Sequence, residues 1–472
     1  MSNAAINDHD DKVAVLSSKA VSQEKDSCEP FALFEEYMFR DSIPEYPMDL
    51  VFQLRFNGLL DWTKVLQTLS TLFSRHVLLQ RRAVSRFGRL FWAPVDQLPE
   101  VKRVDYDEHP EILNETGFPN LHRIDLGTEP GLHVCYIESR RESWSRLVFH
   151  FHHSVADGIG VIRLINEWLI FYSNATCASS RAIEAPEINP EAFRERRRIG
   201  WGVRAYFRHF FDTWRSTRMF VLHFPRALVR VVPPVRKLGM EKGYPHLLTM
   251  RMTHEETSDY VHRTRERGVT VNDELLTDFF LTMDKWLTDV RHDQKNGLLR
   301  VMAPINLRTE RHLKASISNV VSAVFIDRTR RKIKKGKENL LQSVAKEMLW
   351  VKKTGQRYWF LLMLNTLHNM PGLLRLTLRI PLCRSTGVFS NLGRVLEDSP
   401  LKRDEQGRLM LGDVVLEHID GKASLRHKTA LSAVTLTYAG ELSLCVCYDS
   451  RLISKEEARR FNEIFRSYLH QS

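Results

Sequence analysis

The sequence predicts an α/β fold arranged as two similar lobes. Three observations carry that expectation. The chain has 472 residues, enough for two lobes that each bury a core. Short apolar runs of period two are mixed with longer runs of helical spacing in both halves. The two periods meet most clearly near His153. Leu147-Val148-Phe149-His150-Phe151 alternates like a buried strand, and Val161, Leu164, Ile165, Trp168, Leu169 and Tyr172 recur at helical spacing after Gly158.

Residues 1 to about 29 are polar, mixed in charge and poor in aromatics. They are expected to form a mobile tail and lack the apolar core of a signal peptide. A first lobe follows over 30–180, with Leu50 to Leu54 as a strand and Trp62 to Arg75 as a helix. Phe87 to Trp92 reads as part of a hairpin, and Leu132 to Ile137 as a strand leading toward His153. Residues 181–245 form a connector interrupted by Pro186, Pro190, Pro225, Pro233 and Pro234, too basic and aromatic for a plain flexible linker. The second lobe spans 246–472. A helix is expected after Asn272-Asp273, with Leu275, Phe279, Leu281 and Trp286 among its apolar residues. Strands are expected at Leu299 to Met302, Val320 to Phe325, Ala433 to Thr437 and Leu442 to Tyr448. Ser454 followed by Glu457 matches a capping box for the last helix. The chain contains no internal repeat and no low-complexity tract.

The hydrophobic fraction of 43% is ordinary for a soluble globular protein. Cys28, Cys135, Cys177, Cys383, Cys445 and Cys447 are scattered, without zinc-ribbon or thioredoxin spacing. That usage fits a reducing compartment, and Cys445 and Cys447 read as small apolar fillers on one face of a strand. No apolar run reaches membrane-spanning length; the nearest, Trp359 to Leu364, reads as a buried helix near a channel wall. The formal charge is +12, and eight arginines between Arg194 and Arg218 mingle with aromatics from Trp201 to Phe220. This 194–220 segment suits peripheral contact with anionic lipid, or the acidic face of a carrier protein or the phosphates of CoA. No nucleic-acid-binding fold accompanies it. Its ordinary reading is a solvated arginine face over an apolar one, and the run from Arg328 to Lys337 reads as a solvated loop or helix start.

The chemistry concentrates in His152-His153-Ser154-Val155-Ala156-Asp157-Gly158, at the strand-to-helix connection. Alternation puts His153 on the face of Leu147, Phe149 and Phe151, and His150 and His152 on the other. An imidazole there can accept a proton from an attacking alcohol or amine. Asp157 can bond the histidine, pin the turn through an arginine, or cap the next helix. Gly158 would supply a backbone angle that other residues resist. A metal site is not expected, because alternation separates His153 from His150 and His152 and no cysteine joins them.

His-His-x-x-x-Asp-Gly resembles the signature of the CoA-dependent acyltransferase superfamily, which shares the chloramphenicol acetyltransferase-like fold. That group includes peptide-synthetase condensation domains, plant and polyketide-associated acyltransferases, and wax ester or diacylglycerol synthases. Phe56-Asn57-Gly58 with Arg75-His76-Val77-Leu78-Leu79 is similar to the family's opening strand and helix. Val269 to Glu274, Ala303 to Arg308, Ser318 to Val321, Ser390 to Gly393 and Val434 to Leu442 resemble later motifs in order and spacing. The Asp-Phe-Gly-Trp-Gly sequence of plant members is absent.

The resemblance implies two chloramphenicol acetyltransferase-like lobes, each a mixed sheet with flanking helices, and a channel between them. It makes His153 the general base, with His152, Asp157 and Gly158 as motif residues. Asp157 is mainly structural and paired, in bidentate fashion, with Arg308. Asn391, Thr435 and Thr437 become oxyanion or channel candidates by motif position. The implied reaction is acyl transfer, other than amino-acyl transfer, from acyl-CoA or a carrier-bound phosphopantetheine thioester to an alcohol or amine. No permanently bound cofactor and no metal are implied. A cytoplasmic monomer in secondary or lipid metabolism is expected. Competing expectations are a free-standing condensation enzyme using carrier-bound substrates, and a non-catalytic scaffold of the same fold.

Overall fold

Strand pairing begins near the N-terminus and returns there from the far end of the chain. The computed structural model describes residues 13–14, 28–176, 182–199, 210–239 and 244–470. Expectations for the rest of the N-terminal tail, for Cys177 and for Trp201, Arg204, Tyr206, Phe207 and Arg208 lie outside the described residues.

Among the described residues the strands form a seven-stranded, a six-stranded and a three-stranded sheet. The first has the spatial order Val13–Ala14, Glu100–Asp105, Leu132–Ser139, Trp144–His152, Asp49–Asn57, Val414–Lys422 and Met410–Leu411. The second has the order Val321–Thr329, Leu298–Asn306, Gly387–Arg394, Leu431–Tyr438, Glu441–Tyr448 and His246–Arg251. Both are mixed: Glu100–Asp105 runs parallel to Leu132–Ser139, and Gly387–Arg394 runs parallel to both its neighbours. The remaining pairs in these two sheets are antiparallel.

Helices cover each sheet. Trp62–Arg75 and Gly158–Thr176 bring Leu69, Leu164 and Trp168 into one core with Phe149 and Phe151 of the first sheet. Val271–Asp289, Lys337–Lys353 and Lys455–His470 bring Phe279, Val344 and Phe461 into a second core with Val301 and Leu444. Each fully buried Leu or Phe contributes roughly 1.5–3 kcal/mol. Between the sheets, Val51, Val148, Val434, Cys445 and Cys447 form a smaller cluster. The two cysteines share a face because they lie two residues apart on one strand. A further cluster joins helix Leu33–Asp41 to helices Trp359–His368 and Leu373–Arg379.

Helix starts follow local chemistry. Asp61 accepts from Lys64 N at 3.2 Å, and Ser454 and Glu457 bond reciprocally at 3.2 and 2.9 Å. The helix expected after Asn272-Asp273 begins earlier, because Thr270 is its cap and Asp273 closes the box (Asp273 N to Thr270 Oγ1, 3.3 Å). Phe87 does not belong to a strand. With φ of 51° it shares the turn between Arg81–Arg86 and Arg89–Pro94 with Gly88 at 76°. Two residues with positive φ give the twist that suits a two-residue hairpin turn.

Several expectations need correction. Val13–Ala14 pairs with Glu100–Asp105, so two residues of the expected tail sit at a sheet edge. Strand Val414–Lys422 pairs with Asp49–Asn57, so the boundary at 246 does not separate the two sheets. The crossing strand satisfies backbone groups that would otherwise line an open edge. Arg196 is not solvated: it is buried, pairs with Glu35 at 2.9 Å and lies 3.7 Å over the Phe193 ring. In the second basic run, buried Arg330 pairs with Asp284, and buried Arg328 pairs with Glu347 at 2.5 Å. Among the described residues, no helix is long and apolar enough to cross a membrane.

Candidate active site

The strand Trp144–His152 ends beside Asp49, and the turn after it is fixed from several directions. His153 N donates to Met48 O at 2.7 Å, and Val155 N donates to His152 O at 2.9 Å. Ser154 Oγ donates to Glu35 O at 2.9 Å. Asn319, from the chain before strand Val321–Thr329, donates through Nδ2 to the carbonyls of His153 and Ser154, both at 2.9 Å. Val155 and Ala156 are completely buried, which anchors the turn by packing as well.

Asp157 joins the two halves of the site. Its Oδ1 accepts from Gly160 N at 2.8 Å, which caps helix Gly158–Thr176. Its Oδ2 accepts from Val320 N at 2.8 Å and from Arg308 Nη1 at 2.9 Å. Arg308 Nη2 turns instead to Ser318 O at 2.9 Å, so the pair is not the expected bidentate fork. The other carboxylate oxygen, Oδ1, is already taken by Gly160 N, and the second guanidinium arm bonds the backbone instead. The side chains are 4% and 6% exposed, and removing one partner of so buried a pair costs about 3–5 kcal/mol.

Gly158 has no positive φ, contrary to the expected backbone role. Space is what it supplies: a Cβ there would lie 2.7 Å from Leu392 Cδ2. The glycine lets strand Gly387–Arg394 of the second sheet approach the helix start.

A cavity of ≈170 Å³ opens between the sheets, with His153, Phe34, Leu50, Phe52, Arg308 and Asn391 on its wall. His153 is half-buried, and the Phe34 ring meets its imidazole edge-on at 6.1 Å between centroids. Its Nδ1 is buried without a hydrogen-bond partner. Burial lowers the His153 pKa, against the opposing pull of backbone groups and of the Asp157 carboxylate. Burial therefore favours the neutral form of the ring. His152 is buried, accepts from Ser154 N at 3.2 Å through Nδ1, and is lowered to about 4 by burial. His150 Nε2 lies 2.9 Å from Asp49 Oδ2, away from the cavity wall. No cluster of groups suited to a metal ion occurs among the described residues.

Of the three oxyanion candidates, only Asn391 reaches the His153 cavity. Its Oδ1 accepts from Gly393 N at 2.9 Å, and its Nδ2 makes a long 3.5 Å contact with Asn272 Oδ1. Thr435 is fully buried and absent from the wall, where neighbouring Val434 stands instead. Thr437 lines a separate cleft of ≈1200 Å³ that adjoins the cavity at Asn391. Strand parity explains both: Leu431 and Ala433 face the second core, and Thr435 and Thr437 follow the same period.

Sequence reasoning missed Phe34, Asn319 and Lys422 as site residues. Asn319 lies in a quoted motif, but nothing local says that its amide spans to the histidine turn. Lys422 lines the cavity from the crossing strand, and burial lowers it to about 8. A lone lysine at a strand end carries no signal of burial.

No protein-family model matches the chain. Two uncharacterized proteins of Mycobacterium tuberculosis, from strains CDC 1551 and H37Rv, are each 25% identical over 457 residues, covering 92% of this chain and 97% of theirs. Among solved structures, the first condensation domain of the calcium-dependent antibiotic synthetase superposes with a TM-score of 0.67 at 13% identity, covering 94% of this chain and 96% of that one. Trichothecene 15-O-acetyltransferase from Fusarium sporotrichioides gives 0.65 at 10% identity, over 96% of this chain and 97% of that one. A variant of the starter condensation domain of rhizomide synthetase, in complex with C8-CoA and Leu-SNAC, gives 0.62 at 12% identity, with 94% of each chain covered.

These likenesses define the class of fold. The chain has the two-lobed chloramphenicol acetyltransferase-like architecture that condensation domains share with an O-acetyltransferase. Of the residues quoted for the superfamily resemblance, His153, Asp157, Gly158, Arg308 and Asn391 line the cavity between the two sheets.

Proposed function

We propose that the protein is a cytoplasmic acyltransferase that moves an acyl group, other than an amino-acyl group, from a thioester to an alcohol or amine. The observation that carries this reading is a half-buried His153 on the wall of an inter-sheet cavity, its turn clamped by Asp157, Arg308 and Asn319. Nε2 takes the proton from the acceptor O–H or N–H while that atom attacks the thioester carbonyl. The tetrahedral oxyanion receives a hydrogen bond from Asn391 Nδ2. Its collapse breaks the C–S bond, and the imidazolium returns the proton to the departing thiolate. The products are an ester or amide and a free thiol, with no acyl-enzyme intermediate. Asp157 and Arg308 hold the turn and move no proton. Acyl-CoA is the favoured donor, used as co-substrate with no permanently bound cofactor.

The test is intact-mass analysis of products from mixed acyl-CoAs and candidate alcohols and amines. Transfer is expected, with His153→Ala slower by about two to four orders of magnitude. Undiminished transfer by that variant overturns the general-base role. A condensation role is favoured if transfer occurs only when the acyl group is loaded on a carrier protein. The fold neighbours, two of them condensation domains, support keeping that second reading.

The same proposal includes peripheral contact with anionic membranes. On helix Phe210–Leu222 and just past it, Phe211, Trp214, Leu222 and Phe224 are exposed, with Phe211 at 82%. Leu376, on helix Leu373–Arg379, is 61% exposed. Arg215, Arg218, Arg375 and Arg379 are exposed beside them, a mixture that suits a headgroup interface. Co-sedimentation is expected with vesicles containing phosphatidylserine and not with pure phosphatidylcholine; equal recovery with both overturns this contact.

A further inference from the structure

The His153 cavity does not end at its own walls. Tyr37, Met302 and Arg426 also line a small void of ≈20 Å³. Beyond that neck, Phe220, Met363, Leu367, Thr377 and Arg384 are shared with a groove of ≈410 Å³ between helices Phe210–Leu222 and Trp359–His368. The groove reaches the surface, because Val221, Phe224, Ile380 and Leu382 line it and are exposed. Three voids therefore share walls in succession, from the His153 cavity to the surface.

The walls of this row are mainly hydrocarbon. Phe325, Phe360, Leu364, Leu374 and Leu378 surround the neck. Its two arginines bond protein groups: Arg426 with Asp41 at 2.7 Å and with Tyr37 Oη at 3.5 Å, and Arg384 through Nη2 with Thr377 O. Met302 and Met363 flank the narrow point, and unbranched thioethers change rotamer readily. Such a passage offers little to a polar substrate. For a methylene chain it offers continuous burial, worth about fourfold in affinity per methylene.

We propose that this passage holds a long aliphatic chain, so that one of the two substrates reacting at His153 is a fatty acyl or long-chain alkyl compound. The inference rests on the acyl-transfer reading and names its substrate class. The same hydrocarbon could arrive on the thioester donor or on the acceptor, and the chemistry of the wall is common to both.

The test pairs acetyl-, octanoyl- and palmitoyl-CoA with ethanol and with hexadecanol. One arm is expected to show kcat/KM rising at least tenfold from the shortest to the longest member, which identifies the partner that carries the chain. Leu367→Trp, at the junction of neck and groove, is expected to erase that rise and leave the rate with the short member unchanged; Met363→Trp serves if the first variant melts early. Flat chain-length profiles in both arms, or a plugged variant with unaltered selectivity, overturn the passage. If no pair turns over, the proposed reaction is judged by the wider screen of acceptors and carrier-loaded donors, and photolabelling decides the passage separately. Palmitic acid bearing a terminal diazirine is expected to label peptides from 359–384 in the wild type and not in Leu367→Trp. Labelling elsewhere, or none, overturns it.

Discussion

Two kinds of residue meet at the His153 turn, the proposed base and several that hold it still. Burial pushes the imidazole pKa below its ordinary 6.5, so the base stays neutral at lower pH than a free histidine would. The acidic limb of kcat/KM against pH is therefore expected below 6.5, read from a pH–rate profile. A limb at or above that value would mean that a titrating group other than this ring controls the rate. Asp157→Ala leaves the Arg308 guanidinium buried without its carboxylate and orphans Gly160 N and Val320 N. A loss of about 3–5 kcal/mol is expected by urea denaturation, with activity falling as a consequence. A variant that keeps full stability and loses all activity would assign Asp157 to the chemistry instead. At this scale the motif is highly legible: seven consecutive residues give the proposed base and its turn. Arg308 enters only through resemblance, because nothing local links an arginine 151 residues onward to Asp157. Asn319 escapes notice for the same reason.

Elements are legible where their signal is short-range. Trp62–Arg75 has its cap, period and length written within its own residues, and so does Lys455–His470. Strand Gly387–Arg394 and the helix start at Gly158 depend on each other, and that dependence is invisible along the chain. Gly158→Val is expected to drive Leu392 from its seat and cost about 1–3 kcal/mol. Adding Leu392→Ala should recover part of that loss in thermal melting. No recovery would mean that Gly158 serves something other than this packing. Strand parity is the weakest inference at this scale. Thr435 and Thr437 sit in the correct strand, yet both miss the His153 cavity, because one step along a strand exchanges its faces.

Across the whole molecule, the crossing strand Val414–Lys422 ties the second half of the chain into the first sheet. It also delivers Lys422 to the cavity wall. Expressed alone, residues 1–245 would leave strand Asp49–Asn57 as an open apolar edge. That fragment is expected to aggregate, and co-expression with residues 246–472 to restore a soluble complex by gel filtration. A soluble, cooperatively melting fragment would show that the first sheet closes without its visitor. The proposed membrane contact and apolar passage belong to this scale too, since helices distant in sequence build the surface and the voids on which they rest.

By itself the sequence determined the alternation of strand and helix, the place of the His153 motif at a strand-to-helix connection and the presence of two cores. Those signals act over a few residues, where backbone geometry leaves only periods near two and near 3.6. Tertiary structure alone decided that Asp157 divides its oxygens between a helix start and the second half of the chain, and that Asn391, not Thr435, lines the His153 cavity. It also decided that hydrocarbon walls run from His153 to the surface. The physical reason is that these features are relations between surfaces, set by how two twisted sheets pack, and packing joins residues that the chain keeps far apart.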